Sequence, residues 1–402
     1  MKAGWQFETL GDVCELINRG VSPKYLEQGG VCVLNQKCIR DHQVNYELAR
    51  RHDLAAKKVN NDRFIQVGDV LVNSTGTGTL GRVAQIRKAP EEPTTVDSHV
   101  TIVRPKPKKF FQDFFGYMLI FIEEAIKAAG EGCGGQTELA RSVLANNFTV
   151  AYPSSLVEQQ RIVVILDKAF EAIAAARANA EQNRQNARAL FESYLQSVFS
   201  QRGEGWEEKS LEELGTITSS KRIFKSEYVK SGVPFYRTKE IKELANGRDI
   251  TTELFISEVR YREIKTGFGV PKEGDVLLTA IGTIGEAWVV EGNSDFYFKD
   301  GNVLWLKEFT SIIPRFLKYV LQSFVESLNK MSHGSAYSAL PIQRLNAHKI
   351  FLPSLAEQEQ IVSTLDSLYE ETQRLESLYE RKIAALDELK QSLLQQAFSG
   401  NL

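Results

Sequence analysis

The chain repeats itself. The stretch from Tyr152 to Ser200, YPSSLVEQQRIVVILDKAFEAIAAARANAEQNRQNARALFESYLQSVFS, recurs about 199 residues later as LPSLAEQEQIVSTLDSLYEETQRLESLYERKIAALDELKQSLLQQAFSGNL from Leu352 onward. Pro153 matches Pro353, Glu158 matches Glu357, and Ile162 matches Ile361. Leu166-Asp167 matches Leu365-Asp366, and Phe199-Ser200 matches Phe398-Ser399. A repeat of this length means one structural unit built twice, so each local motif has to be weighed against its counterpart.

Each copy reads as one long helix. The proline stops what precedes it, and Ser155 with Glu158, like Ser354 with Glu357, spells the S-x-x-E capping box that satisfies the first free backbone donors. In the second copy Ile361, Leu365, Leu368, Thr372, Leu375, Tyr379, Lys382, Leu386, Leu389 and Leu393 follow in alternating steps of four and three. That is a coiled-coil seam with two polar interruptions, and Gly400 ends it. In the first copy the seam runs Ile162, Leu166, Ala169, Ile173, Ala176, Ala180, Asn183, Ala187, Leu190 and Tyr194. Its alanines let two backbones approach closely, and Asn183 is a polar register device. Each helix can lie on its own globular segment. Antiparallel pairing with each other buries both seams, and the chain order favours it. About 42 residues at 1.5 Å each make a rod of roughly 60 Å, with a globular domain at each end and a pseudo-twofold axis between.

The segments before the helices also correspond. Trp5 to Leu16 and Trp206 to Leu214 open the two halves. An apolar strand follows in each, Val31–Leu34 trailed by Asn35-Gln36-Lys37, and Val233–Tyr236 trailed by Arg237-Thr238-Lys239. Next come VGDVLVNSTGTGTLGRVAQI from Val67 and EGDVLLTAIGTIGEAWVV from Glu273, each a Gly-Asp turn, a strand, a Gly/Thr loop and another strand. Amphipathic helices over 110–129 and about 312–331 precede the Gly-rich loops EGCGGQT and SHGSAYS. The expected fold is α+β, with two mixed or antiparallel β-rich domains at 1–152 and 203–352 alternating with helical regions at 153–202 and 353–402.

Charge is uneven. Net charge is −2 overall, yet residues 357–402 hold 4 Lys and Arg against 9 Asp and Glu, while 1–157 hold 19 against 17 and 201–356 hold 21 against 20. An acidic polymer is therefore expected to meet patches on the β-rich segments and not the last helix. The N-terminus lacks the apolar core of a signal peptide and no apolar run approaches membrane-spanning length, so a cytoplasmic protein is expected. Cys14, Cys32, Cys38 and Cys133 form no C-x-x-C pair, which fits reduced thiols.

Catalytic motifs are not evident. Gly76-Thr-Gly78-Thr-Leu-Gly81 fits G-x-G-x-x-G, but a strand follows where a dinucleotide site needs a helix, so a glycine-permitted hairpin loop is expected. The five histidines have no metal-ligand spacing, and neither a phosphate-binding lysine loop nor a nucleophile elbow is present. What remains suits nucleic acid. Ser74, Thr75, Thr77 and Thr79, with Thr279 and Thr283 in the second half, are candidate phosphate donors. Lys37, Ser219, Ser220, Lys221, Arg222, Lys225, Arg237, Thr238 and Lys239 form basic strand ends and a basic-aromatic run, and Asn35 or Gln36 can bracket adenine. Gln136, Thr137, His333 and Ser335 come from the Gly-rich loops. The run Lys106-Pro-Lys108-Lys109 reads as a solvated face.

Taken together, the chain resembles the specificity (S) subunit of Type I restriction-modification enzymes over essentially its whole length. The helix starts at Tyr152 and Leu352, the paired GDVLVNSTGTGTLG and GDVLLTAIGTIG, and the ending LLQQAFSG carry the resemblance. It implies two target-recognition domains that each read half of an asymmetric bipartite DNA site. It further implies helices that set the spacer and dock two modification subunits. Restriction subunits join through the complex. S-adenosylmethionine, ATP and Mg are expected on those partners and no cofactor on this chain, which is expected to be non-catalytic. A coiled-coil scaffold, or an orphan DNA reader without active partners, is the competing expectation.

Overall fold

The computed structural model describes residues 4–133, 136–201, 203–324, 328 and 340–402, with backbone alone at 131–133, 136 and 137. It divides into two units, residues 1–181 with 381–402, and residues 182–380. Each unit takes one globular segment and stretches of both long helices.

In chain order the first unit contributes β1 (Trp5–Thr9), β2 (Cys14–Arg19), β3 (Tyr25–Leu26), β4 (Val31–Leu34), β5 (Ile39–Arg40), β6 (Gln43–Val44) and β7 (Arg50–His52). There follow β8 (Val70–Asn73), β9 (Val83–Gln85), β10 (Thr94–Val96), β11 (Val100–Pro105), β12 (Glu131–Cys133), β13 (Gln136–Glu138) and β14 (Thr149–Pro153). One sheet runs β2-β11-β8-β9, a second β10-β4-β7-β3, and β1 pairs with β14. The β4–β10 pair is parallel and the other ladders of these sheets are antiparallel.

The second unit repeats the plan with β15 (Glu207–Ser210), β16 (Thr216–Ser219), β17 (Tyr228–Val229), β18 (Val233–Tyr236), β19 (Phe255–Ile256) and β20 (Val276–Thr279). It ends with β21 (Ala287–Val289), β22 (Tyr297–Phe298), β23 (Val303–Lys307) and β24 (Lys349–Leu352). Its sheets run β16-β23-β20-β21 and β17-β19-β18-β22, with β15 on β24 and the β18–β22 pair again parallel. In the two four-stranded sheets and the outer strand pair, the order matches the first unit. Mixed and antiparallel sheets with helices packed on them agree with the α+β expectation.

The expected helix over 110–129 is two helices, Gln112–Phe121 and Glu123–Ala128, broken at Ile122. Glu123 turns inward, where its carboxylate accepts from Val83 N (3.0 Å) and pairs with His42 (3.2 Å) and Lys127 (2.6 Å). In the second unit the helix spans Pro314–Ser323, and most of its expected continuation lies outside the described residues.

The long helices span Leu156–Ser200 and Leu355–Phe398, directly after the expected caps. Ser155 Oγ accepts from Glu158 N and Ser354 Oγ from Glu357 N, both at 3.4 Å. Each unit pairs the start of one long helix with the end of the other. In the first, Ile162, Val163 and Leu166 share a core with Leu394, Ala397 and Phe398. In the second, Val362 and Leu365 share one with Phe191 and Leu195. Phe114–Phe398 and Phe316–Phe199 are corresponding ring contacts, both with centroids 5.3 Å apart. Arg177 pairs with Asp387 (3.3 Å) in one unit, and Arg184 with Glu380 (3.1 Å) and Arg188 with Glu376 (3.7 Å) in the other. Residue numbers rise on one helix as they fall on the other. The pairing is antiparallel.

The register needs one correction. Leu190 is 63% exposed, Tyr194 is 39% exposed and Asn183 faces solvent, so none of the three lies in the first helix's seam. Leu389 of the second helix is likewise exposed. The buried positions are Gln159, Ile162, Val163, Leu166, Ile173, Ala180, Ala187, Phe191 and Leu195. From Ile173 the line passes Ala176, Ala180, Arg184, Ala187, Phe191 and Leu195, in steps of three, four and four. That is an eleven-residue repeat, close to the natural 3.6 residues per turn, and it displaces a strict seven-residue seam by one position. In the second helix Leu365 is buried, and Ile361, Leu368, Leu375, Tyr379, Leu386 and Leu393 are half-buried.

Candidate nucleic-acid interface

In the first unit, β4 ends at Leu34, its parallel neighbour β10 at Val96, and β8 at Asn73. The segments leaving these strands are tied together. Asp97 N donates to Leu34 O (2.9 Å), Ser74 N to His99 O (2.8 Å), and Asn73 Nδ2 to Gln36 O (3.0 Å). Residues 35–37, 74–79 and 97–99 therefore meet at one place. Leu139 N donates to Ser74 O (2.8 Å), which brings the end of β13 there as well. Gln136 and Thr137 lie on that strand, with side chains outside the described residues.

The Gly/Thr loop joins β8 to β9 as a hairpin, as expected. Gly76 is required there. Its φ is +107°, and a Cβ would fall 2.3 Å from Thr79 Oγ1 and 2.4 Å from Gln36 Oε1. Thr79 Oγ1 donates to Gln36 Oε1 (3.2 Å), and Thr75 Oγ1 shares a hydrogen bond with His99 Nδ1 (2.7 Å). Lys37, Thr77 and His99 are exposed.

One expectation fails here. Ser74 is 1% exposed and its hydroxyl bonds Thr101, so it serves the fold and not a phosphate. Asn35 caps the short helical turn Gln36–Cys38: its Oδ1 accepts from Lys37 N (2.9 Å) and its Nδ2 donates to Leu48 O (3.0 Å). Each end of its amide thus already makes one bond within the fold.

The second unit repeats the arrangement with other side chains. Lys299 N donates to Tyr236 O (2.9 Å) and Ala280 N to Asn302 O (2.8 Å). Ser219 Oγ accepts from Gly301 N (3.0 Å), Ser220 Oγ donates to Phe298 O (2.8 Å), and Lys221 N donates to the Tyr297 hydroxyl (2.6 Å). Residues 219–222, 237–239, 279–283 and 299–302 thus converge. His333 and Ser335 lie outside the described residues.

Arg237-Thr238-Lys239 is not a plain strand end, because Thr238–Ala245 is a helix. Glu240 accepts from Arg237 N (2.8 Å) and Nη2 (2.6 Å), while Glu253 holds Arg237 (2.8 Å) and Lys239 (3.2 Å). Burial would raise the Glu240 carboxyl, but its bonds to Arg237 win and hold it below the usual range. Thr279 is fully buried, accepting from Glu286 N at 3.0 Å, so it too belongs to the fold. Arg222 pairs with Asp300 at 3.1 Å, while Lys221, Lys225 and Thr283 are exposed. His99, Lys299 and Asp300 were not singled out from the sequence. The parallel strand beside the first basic segment places them here, and no local motif marks them.

Elsewhere, Lys109 pairs with Glu8 at 2.7 Å. Cys14, Cys32 and Cys38 are buried free thiols, and burial pushes Cys14 up to about 12 and Cys38 to about 11. Among the described residues no helix is long and apolar enough to cross a membrane, and no three His, Cys, Asp or Glu side chains group as a metal site.

A twice-built α+β domain, each copy packed on paired long helices, defines a tandem two-headed class of protein. The Type I restriction modification DNA specificity domain matches the chain twice, at residues 2–182 and 203–383, and the chain belongs to that family. It is 30% identical over 157 residues to a putative type I restriction enzyme specificity subunit of Haemophilus influenzae, covering 39% of this chain and 38% of that one. It is 27% identical over 180 residues to the EcoBI specificity subunit of Escherichia coli, covering 43% and 36%. The chain thus spans under two fifths of the length of these curated relatives. Among solved structures it is similar to a chain from work on complex assembly and conformational transition of the type I R-M system (TM-score 0.80, 20% identity, 100% of this chain and 99% of that one). It is also similar to the HsdS subunit of Thermoanaerobacter tengcongensis (TM-score 0.58, 22% identity, 100% and 98%). At such identities these likenesses show the fold.

Proposed function

We propose that this chain is the sequence-specific DNA-binding subunit of a Type I restriction-modification complex. Each globular half reads one part of an asymmetric bipartite site in duplex DNA, and the paired helices set the spacer and dock two modification subunits. Restriction subunits act through that complex. The chain itself is non-catalytic, binds no cofactor and works in the cytoplasm. S-adenosylmethionine, ATP and Mg belong to the partner subunits.

One observation carries this reading. Corresponding segments converge at corresponding strand ends in both units, yet they carry different side chains: Asn35, Gln36 and Lys37 after β4 in the first, and Arg237, Thr238 and Lys239 after β18 in the second. One scaffold with two side-chain sets suits two unlike half-sites. Hydroxyls and lysines of this kind position a phosphate backbone, and amide or guanidinium groups pick base edges. Gel-shift binding of the chain with its modification partner, against a pool of randomised duplexes, tests the proposal. Enrichment of a bipartite motif supports it. Equal binding to all duplexes overturns it.

A further inference from the structure

The second unit exposes two aromatic rings, each beneath a cation. Phe268 is 59% exposed and Phe224 is 60% exposed. Lys221 Nζ lies 4.4 Å from the centre of the Phe268 ring, and the Arg222 guanidinium carbon 5.9 Å from that of Phe224. Neither ring contributes to a core, so core packing does not explain them.

The surroundings hold these pairs in place. Phe268 caps the helix Glu258–Gly267, its N donating to Ile264 O (2.8 Å), and Gly269 at φ +83° turns the chain away. The backbone N of Lys221 donates to the Tyr297 hydroxyl, which anchors that stretch of chain, and Asp300 accepts from the Arg222 guanidinium. Both pairs therefore stand beside residues 297–300, at the rim of the candidate interface. The first unit reaches the same chemistry with unrelated residues. Tyr25, 44% exposed on β3, lies under Arg50 of β7 at 3.9 Å. Arg50 follows closely on Leu48, whose carbonyl accepts from Asn35 Nδ2.

We propose that these cation–ring pairs grip the sugar–phosphate backbone of duplex DNA at the edge of each reading surface. The ring packs against a deoxyribose, and the cation it positions meets a phosphate oxygen. An ammonium over a ring face is held as a fixed point charge with its outer side open to an anion. Sugar and phosphate are the same at every base, so the pairs supply affinity and orientation without choosing sequence. A cation beside a ring also fits a protein partner, but placement beside the strand ends that carry Lys37 in the first unit and Lys221 in the second favours nucleic acid. The inference rests on the DNA-reading function proposed above.

The test uses the complex of the full chain with its modification subunits and two duplexes, one carrying the methylated motif and one unrelated. Phe268→Ala and Lys221→Gln are each expected to weaken binding to both duplexes by about five-fold, with Phe268→Tyr like wild type. Lys221→Gln should also lower the salt-dependence slope by about one. The methylated motif should not change. Unaltered affinity in both variants overturns the proposal. So does a changed motif, which would make Phe268 a base reader, and so does loss of the modification subunits, which would assign the patch to protein docking. Should Phe268→Ala fail to fold, Lys221→Gln decides alone. A wild-type complex that binds both duplexes equally counts against the reading function itself, whereas the clamp is judged by the ratio of variant to wild type.

Discussion

Gln159 and Gln358 make the same pair of buried hydrogen bonds in the two halves of the chain. Gln159 Oε1 accepts from Phe111 N (2.7 Å) and its Nε2 donates to Pro153 O (2.8 Å). Gln358 Oε1 accepts from Ile313 N (2.8 Å) and its Nε2 donates to Pro353 O (3.0 Å). Both side chains are fully buried. Each amide locks the start of a long helix to the start of the domain helix beside it. Alanine at either position strands a backbone donor and a carbonyl away from water, at a cost of roughly 1–3 kcal/mol. Urea unfolding should show similar losses for Gln159→Ala and Gln358→Ala.

The eleven-residue register makes a sharper prediction about neighbours. Phe191 is 8% exposed and packs on Tyr319 and Tyr369, whereas Leu190 is 63% exposed. Phe191→Ala should destabilise by about 3–5 kcal/mol and Leu190→Ala by less than about 0.5 kcal/mol. Denaturant midpoints of the two variants check this, and equal losses would restore the strict heptad.

Acid stability should depend on Glu123. Burial by itself would raise its carboxyl, but hydrogen bonds from His42, Lys127 and Val83 N outweigh burial and hold it at about 2, below the ordinary 4.5. A folded value below the unfolded one gives stability that is complete above pH 4.5 and is lost as pH falls toward 2. Glu123→Gln should therefore lower stability at neutral pH and flatten its loss across that window. Parallel pH curves for variant and wild type would contradict this.

Glu253 restrains two cations of the candidate interface, Arg237 and Lys239. Glu253→Gln should release them and strengthen low-salt binding to any duplex, with a steeper salt dependence. Fluorescence titration at several salt concentrations measures both.

Much of the architecture was legible because duplication checks itself. A cap seen at Ser155 could be tested at Ser354, and the hairpin loop ending at Gly81 against its counterpart ending at Gly285. The helix seam was legible only to within one residue, because steps of three and four look alike locally while their sum sets the register. Ser74 and Thr279 misled for another reason. Polar residues after a strand look available to a ligand, but here they close their own turns and ladders. His99, Lys299 and the cation over Phe268 were not legible, since each depends on which distant strand lies alongside. Gln159 and Gln358 sat in plain view beside the repeated Glu, and their role shows only with the backbone they bind.

The central claim, that two unlike readers on one scaffold select a bipartite site, is tested most directly by sequencing methylated adenines in the host with and without this gene. The comparison should include a version in which residues 206–352 come from another family member. The account predicts an asymmetric two-part motif that vanishes without the gene, and of which only one half changes in the exchange. A motif that persists without the gene, or changes in both halves, would contradict it.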